Sequence, residues 1–340
     1  MDIVKTMKYF FIKLQDGDVM WYSPDQPISR GIATVDHASI YSRDGGQGAK
    51  APRDSATVVL LRDRPGGPYE VFLMRRHGKQ AFMGGAHVFP GGSLDDDDRD
   101  PGLAPCINGL SGTDARGLLQ EPDLPESTAF GLFLAAIRET FEEAGVLLAR
   151  DNAGQVVDLT DPATAARFAA YRLELHEGRL TLAKLAEREG VRYAPDLLVP
   201  YSHWITPTIE PRRFDTRFFL ARLPEGQAAV HDRMELTDSR WMTPALALTE
   251  HMAGRIVLMP PTLKTVEELQ AFSLTEPLFA AARSRRIGTT LPEAFRTGDC
   301  FGVRLPNDAE YTLDAFKQPS RPGETSRMVL QDGIWRTLSV

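Results

Sequence analysis

The chain has 340 residues, of which 42% are hydrophobic, and it carries a formal net charge of −7. This length is sufficient for one large domain or for a domain with appendages. The acidic balance argues against nucleic acid as a partner, because binding to a phosphate backbone needs a basic surface. Cys106 and Cys300 have neither metal-binding nor redox spacing and predict no disulfide framework. No apolar run is long enough to cross a membrane, so we expect a cytoplasmic protein without a membrane partner.

The first part of the chain divides into an extension and the start of a sheet. Residues 1–53 are interpreted as an N-terminal extension, either folded or partly ordered. Two β-rich runs over 55–61 and 69–75 flank a Pro-Gly-Gly-Pro turn and predict a hairpin. A short strand then leads into a turn that ends in Gly91 and Gly92, where glycines allow the backbone to approach a ligand closely.

A segment rich in Asp, Gly and Pro follows over about 95–125 and is interpreted as an insertion. Four consecutive aspartates at 95–98 open it. They are candidate metal ligands, but a run of acids more often forms a solvated loop, and we expect that here. Because the composition has few apolar residues, we also expect the insertion to add nothing to the core.

The strongest signal downstream is an acidic helix. Ser127 or Thr128 can cap its start, and Gly145 favours the left-handed conformation in which helices commonly end. Three acids spaced three and four residues apart share one face of this helix, namely Glu139, Glu142 and Glu143. Such crowded like charges need a neutralising partner, and Mg²⁺ takes oxygen ligands of this kind beside substrate phosphates.

The remainder of the chain predicts further helices and strands. Helical periodicity over 162–176 and 180–189 indicates a second insertion at about 160–195. Strands are predicted over 202–207 and 213–221. Residues 251–340 are interpreted as C-terminal helices and a tail of short β-like pieces, to which the pattern assigns no role.

The run Arg-Glu-Thr-Phe-Glu-Glu-Ala-Gly-Val at 138–146 resembles the second half of the Nudix hydrolase signature, with Thr140 at a usually apolar position. The first glycine of that signature matches Gly92. An insertion separates the two halves. The glutamate that the signature places between them falls on Asp98 when counted forward from Gly92, and on Phe130 when counted back from Arg138.

This resemblance implies an α+β Nudix fold over residues 54–250, in which a mixed β-sheet is sandwiched between α-helices and carries helical insertions. It implies hydrolysis of a nucleoside diphosphate linked to another moiety, with Mg²⁺ or Mn²⁺ as cofactor. The implied metal ligands are Glu139, Glu142, Glu143 and a main-chain carbonyl of Gly91 or Gly92. The implied catalytic residues are Glu139, Arg138, which orients the carboxylates, and Glu235 as a general base, with Glu210 and Asp215 as alternatives.

A second resemblance is to the coenzyme A diphosphatase branch of the family. Leu73, Arg76, Gly85 and residues 89–92 match its motif, whereas Met74 and Ala81 replace a threonine and a second arginine. The split signature and the helical insert are similar to the peroxisomal animal member of that branch. The resemblance implies coenzyme A or acyl-coenzyme A as substrate, bound by Arg75 and Arg76. The alternative for these two arginines is a pair of surface charges.

Two other functions stay open. One is a diphosphatase of ADP-ribose, NADH or another nucleotide sugar. The other is a non-catalytic Nudix module that binds a nucleotide, although a binding module has no need for three clustered carboxylates. The oligomeric state is also open, and a homodimer is possible.

Overall fold

The computed structural model describes residues 10–13, 19–22, 51–77, 85–231, 236–298, 300–320 and 323–338. At the N-terminus, β1 (Phe10–Lys13) and β2 (Val19–Tyr22) pair as an antiparallel hairpin. The further strands in chain order are β3 (Arg53–Arg64), β4 (Gly67–Arg76), β5 (His87–Val88), β6 (Gly91–Ser93), β7 (Ala149–Arg150), β8 (Arg192–Tyr193), β9 (Val199–Ile205), β10 (Phe214–Arg222), β11 (Leu236–Met242), β12 (Thr289–Thr290), β13 (Glu293–Thr297), β14 (Cys300–Arg304), β15 (Arg327–Gln331) and β16 (Ile334–Leu338).

The helices connect these strands and cover the sheets. In chain order they are α1 (Gly112–Leu119), α2 (Glu126–Ala144), α3 (Pro162–His176), α4 (Leu182–Glu189), α5 (Pro244–Met252), α6 (Pro260–Gln270) and α7 (Thr275–Ser284). None of the described helices is both long and apolar enough to span a membrane.

The central sheet contains both parallel and antiparallel strands, and helices cover both of its faces, as the predicted α+β Nudix fold requires. Its strand order is β11-β4-β3-β10-β9-β12, with β5 paired to β4 and β6 paired to β3. Strands β3 and β10 run parallel, whereas β3 and β4 form the predicted antiparallel hairpin. The fold class predicted from the sequence is confirmed.

Side chains alternate between two hydrophobic cores along β3. Val58 and Leu60 point into the first core, which packs against α2, and Val59 and Leu61 point into the second. The second core is closed by residues of α5, α6, α7 and the C-terminal strands. Because successive side chains of a strand face opposite sides, a continuous apolar run is what a strand buried on both faces needs.

The acidic helix was predicted correctly at its end and incorrectly at its start. Gly145 follows α2 with φ of 70°, the left-handed conformation that glycine adopts without strain. At the other end, Pro125 is the N-cap and no side chain caps the helix, so Ser127 and Thr128 lie inside the first turn. Apolar packing along α2 stabilises it instead, since fifteen of its residues are buried.

The expectation that the 95–125 insertion adds nothing to the core is wrong. Leu103, Ile107, Ala115 and Leu119 are buried in the first core. The last two belong to α1, which packs along α2. The sequence did contain a signal for α1, because Ser111 and Asp114 form a capping box at its start.

The C-terminal strands form a separate sheet rather than a tail. Strands β13, β14, β15 and β16 pair in that order as an antiparallel meander. Val303, Met328 and Trp335 of this sheet are buried in the second core together with residues of α5 and α6. The sheet is therefore packed against the helices that cover the central sheet.

Candidate active site

A cavity of about 520 Å³ opens where the acidic helix, the glycine turn and the C-terminal sheet meet. Its acidic end is lined by Glu139, Glu142 and Glu143 of α2. Gly91 and Gly92 line the same end. The predicted metal-binding residues therefore lie together around one cavity.

The glycine turn packs so closely against α2 and β3 that side chains are excluded from it. The Gly91 N–H donates a hydrogen bond to Oε2 of Glu143 at 2.8 Å. A Cβ at Gly92 would overlap the carboxylate of Glu139, and one at Gly91 would overlap the carbonyl oxygen of Ala56. Glycine is required at both positions for this reason.

Arg138 lies beneath the carboxylates, with 11% of its side chain exposed. Its guanidinium donates to Oε1 of Glu139 at 2.9 Å and to the carbonyl oxygen of Ser93 at 2.9 Å. It also lies 3.3 Å from Oε1 of Glu142. Burial alone would lower the pKa of Arg138, but the surrounding carboxylates, Glu139 foremost, raise it. The arginine is thus a permanent cation that lies beneath the carboxylates.

Arg138 also pairs with Asp98, which the sequence analysis expected to lie in a solvated loop. The guanidinium donates to both oxygens of Asp98, at 3.0 and 2.9 Å. Asp98 is 1% exposed, and the Asp95 N–H also donates to it at 2.9 Å. The prediction of a solvated acidic loop holds for residues 95–97, which are exposed, and is wrong for Asp98. The forward count from Gly92 had already placed the missing acid of the signature there.

Burial also changes how readily the helix acids ionise. Burial raises the pKa of Glu139 to about 7. The positive charge of Arg138 opposes this rise, and the negative charge of Glu142 adds to it. Burial likewise raises the pKa of Glu142. Four carboxylates lie within 3.5 Å of the Arg138 guanidinium, namely those of Asp95, Asp98, Glu139 and Glu142, so the site holds more negative than positive charge when all are ionised.

The side chains at the acidic end of the cavity are chemically suited to a hard divalent cation, but they are not arranged as a coordination shell. Among the residues that the structure describes, no group of three or more His, Cys, Asp or Glu side chains is placed to hold a metal ion. The donors at the acidic end are nevertheless all oxygens, which suits Mg²⁺ or Mn²⁺. The absent Cβ at Gly92 lets the Glu139 carboxylate lie directly against the main chain. An added cation would offset the excess negative charge there.

The two predicted substrate-binding arginines lie in different places. Arg76 is half-buried and lines the cavity, and its Nε is buried without a hydrogen-bond partner. Arg75 is exposed and does not line the cavity, as strand alternation requires of neighbours. The structure therefore places Arg76, but not Arg75, where it can contact a bound molecule.

The three candidates for the general base also lie in different places. Glu235 lies outside the described residues. Asp215 does not line the cavity, and its carboxylate is paired with His203 and Arg217. Glu210 lines the cavity, and burial raises its pKa to about 7.

Two residues of α3 contact the site, and neither was predicted. Arg172 donates to the carbonyl oxygens of Glu142 at 2.7 Å and of Glu143 at 2.8 Å. His176 lines the cavity, with Nδ1 3.9 Å from Oε2 of Glu142. Helical periodicity predicted α3 itself, but no local pattern indicates which of its polar side chains faces a distant helix.

Comparison with known proteins agrees with this geometry. The family model described as the NUDT19 Nudix domain matches residues 52–269. The chain is 30% identical over 295 residues to the human protein "Acyl-coenzyme A diphosphatase NUDT19", covering 77% of this chain and 78% of that protein. The Gallus gallus protein of the same name is also 30% identical, over 311 residues that cover 77% of this chain and 80% of that protein.

A solved structure shows the same fold. The crystal structure of a Nudix hydrolase from Alicyclobacillus acidocaldarius aligns with a TM-score of 0.55 and 27% identity, covering 67% of this chain and 96% of that chain. The acidic helix, the glycine turn and all strands of the central sheet except β12 thus lie within the matched residues, which span most of the chain. The protein belongs to the Nudix hydrolases, in the family of the NUDT19 Nudix domain.

Proposed function

We propose that the protein is a divalent-metal-dependent diphosphatase that hydrolyses coenzyme A or acyl-coenzyme A. The observation that carries this proposal is that a single cavity joins an acidic end, Arg76 and an apolar wall. Coenzyme A has the matching parts, which are a diphosphate, a ribose phosphate and a long, weakly polar arm. The name of the animal relatives, acyl-coenzyme A diphosphatase, supports the same substrate class.

In this proposal Glu139, Glu142 and Glu143, with a carbonyl of Gly91 or Gly92, hold Mg²⁺ or Mn²⁺. The bound metal ion supplies charge neutralisation for the diphosphate and activates water. Arg138 keeps the Glu139 carboxylate in place through its hydrogen bond. The Gly91 N–H does the same for Glu143. Preset donors of this kind reduce the reorganisation needed during the reaction.

We assign the general base to Glu210, with Glu235 as the alternative. A water oxygen forms a bond to one phosphorus of the diphosphate while its proton passes to the carboxylate. The bond from that phosphorus to the bridging oxygen breaks, and two phosphate monoesters are released. A base with a pKa near 7 is suited to this role at neutral pH, because it is both partly ionised and able to accept a proton.

Arg76 is assigned to the 3′-phosphate of coenzyme A. Arg76 lines the cavity, and its Nε is buried without a hydrogen-bond partner. Guanidinium groups bind phosphate oxygens through short, charge-assisted hydrogen bonds. ADP-ribose and NADH lack this phosphate, so this contact would favour coenzyme A over them.

Neutral variants test the acidic helix. Glu142→Gln and Glu143→Gln should each lower kcat by at least about a hundredfold, the scale of losing one key electrostatic contact. The thermal midpoint should not fall, because each change relieves repulsion between like charges. Glu187→Gln, at an exposed position on α4, is the control and should behave as the wild type. Near-normal activity of both helix variants would mean that the metal site is elsewhere.

The buried ion pair between Asp98 and Arg138 can be tested by measuring the free energy of unfolding. In Asp98→Asn an amide nitrogen replaces one of the two oxygens that accept hydrogen bonds from Arg138, so the variant should lower the free energy of unfolding by about 1.5–3 kcal/mol. Asp97→Asn is the matched control because Asp97 is exposed, and its effect should stay within about 0.5 kcal/mol. Chemical denaturation of both variants gives the comparison. Equal effects would show that Asp98 does not stabilise the buried arginine.

The pH profile tests Glu210. The base must be ionised to act, so kcat/KM should fall as the pH drops below about 7, the raised pKa of Glu210. Glu210→Gln should lower kcat/KM by about a hundredfold or more and remove this acid limb. Glu225→Gln, at an exposed turn, serves as the control. If the acid limb persists in Glu210→Gln, it belongs to another group, and the first to test are Glu235 as the base and the proposed metal ligand Glu139, whose pKa is also raised to about 7.

The phosphate contact is tested with two substrates and two variants. Arg76→Ala should lower kcat/KM for coenzyme A by roughly ten- to a hundredfold, the equivalent of about 1.5–3 kcal/mol for a hydrogen bond to a charged group. Dephospho-coenzyme A lacks the 3′-phosphate and should respond little. Arg75→Ala, on the exposed face of the same strand, should leave both substrates unaffected. Faster wild-type cleavage of ADP-ribose than of either coenzyme would instead favour a nucleotide-sugar diphosphatase.

A further inference from the structure

The C-terminal sheet lines the candidate active site, although it lies beyond residue 269, where the match to the family model ends. Phe301 and Val303 of β14 and Trp335 of β16 all contribute to the cavity surface. Neither the sequence pattern nor the family match gives these residues a role. They are brought to the site only by the way the sheet packs on α5 and α6.

This sheet is fixed in place by buried contacts. Nδ1 of His251 accepts a hydrogen bond from the Leu258 N–H at 3.2 Å, so its proton is on Nε2. Nε2 then donates to the carbonyl oxygen of Trp335 at 2.9 Å. Thr337 in the same strand donates to Glu267 of α6 at 2.6 Å. The wall that Trp335 forms is therefore present before any ligand binds.

The surface contributed by the sheet is apolar. The rings of Phe301 and Trp335 lie edge to face, with centroids 6.0 Å apart. Met259 and Phe218 extend this surface toward the central sheet. The acidic end and Arg76 belong to the same cavity. An occupant that matches the whole cavity needs a charged phosphate part and an apolar arm.

We propose that the C-terminal sheet forms the subsite for the acyl-pantetheine arm of the substrate and makes the enzyme selective for acylated over free coenzyme A. The inference rests on the proposed coenzyme A diphosphatase function. The bond that is hydrolysed and the nucleotide half are the same in both substrates. Any preference between them must therefore arise from contacts with the arm, which is the part that the apolar wall can reach.

The physical basis is burial of apolar surface. Each buried methylene group contributes about 0.8 kcal/mol, or roughly a fourfold change in affinity. An octanoyl group that places even part of its chain against Phe301 and Trp335 would therefore raise kcat/KM by about tenfold or more over free coenzyme A. An exposed chain would give no such increase.

Phe301→Ala is the test, because Phe301 is only partly buried and its loss removes one side of the wall. Wild-type kcat/KM should be about tenfold or more higher for octanoyl-coenzyme A than for coenzyme A. The variant should lose about tenfold on the octanoyl substrate and less than about threefold on coenzyme A. Phe301→Leu, which keeps an apolar side chain, should retain most of the preference. If Phe301→Ala does not fold, the ratio of the wild-type kcat/KM values for the two substrates decides, and a ratio near one overturns the inference.

Phe295→Ala is the matched control within the same sheet. Phe295 pairs with Gly302 on the neighbouring strand, contacts Arg304 and Arg327 through its ring, and does not line the cavity. It should leave the ratio between the two substrates unchanged. A similar loss of the ratio in Phe295→Ala would show that the sheet acts through stability rather than contact, and would overturn the inference.

The outcomes separate this inference from the function on which it rests. Hydrolysis of neither coenzyme A nor its octanoyl ester by the wild type would overturn both. Hydrolysis of both at similar kcat/KM, with equal effects of Phe301→Ala on each, would overturn the acyl subsite and leave the diphosphatase function standing. A loss confined to the octanoyl substrate supports the assignment.

Discussion

The buried guanidinium of Arg138 holds the parts of the active site together. A charge removed from water is destabilising unless it is paired and its hydrogen bonds are satisfied. Three chain segments meet this requirement: Ser93 after the glycine turn, Asp98 at the start of the first insertion, and Glu139 on the helix itself. The same contacts set the distance between the glycine turn and α2. The shape of the acidic end of the cavity is therefore set by the pairing of one arginine.

The opposite end of the acidic segment is held by a second arginine. Arg172 of α3 binds the main-chain carbonyl groups of Glu142 and Glu143. These groups lie in the last turn of α2, where carbonyls lack helical partners and carry the negative end of the helix dipole. A cation there stabilises the turn that carries two of the proposed metal ligands. The second insertion thus stabilises the site through Arg172, and its His176 lines the cavity.

A third arginine attaches the first insertion to the central sheet. Arg217 of β10 donates to both carboxylate oxygens of Glu121, at 2.9 and 2.7 Å, and to Asp54 at 2.6 Å. Glu121 lies just before α2, whereas Asp98 lies near the start of the insertion. Buried arginines therefore bind both ends of this segment, and α1, which lies between these ends in the sequence, packs along α2. This explains how an insertion can interrupt the signature without displacing the acidic helix.

The sequence predicted those features whose cause is local. The bounds of α3 at Pro162–His176 followed from helical periodicity, and the end of α2 followed from the conformational freedom of Gly145. The mixed sheet was predicted only through the family resemblance. Arg172 was not predicted because its role depends on a contact between two helices. The burial of Leu103 and Leu119 was missed because a segment of low average hydrophobicity can still bury its few apolar residues.

Residue spacing left two positions for the missing acid of the signature, Asp98 and Phe130. In the structure, Asp98 is the one that contacts Arg138. Counting back from Arg138 placed the missing acid on Phe130, but that residue lies on α2 with its side chain in the hydrophobic core. Counting forward from Gly92 follows β6 and the turn after it, where the geometry is set by the sheet. The extra residues enter after Asp98, so the chain from the glycine turn to this acid keeps its length. Loop insertions cost little when the segments on either side keep their contacts. The ion pair between Asp98 and Arg138 therefore forms although the two residues are 40 positions apart in the sequence.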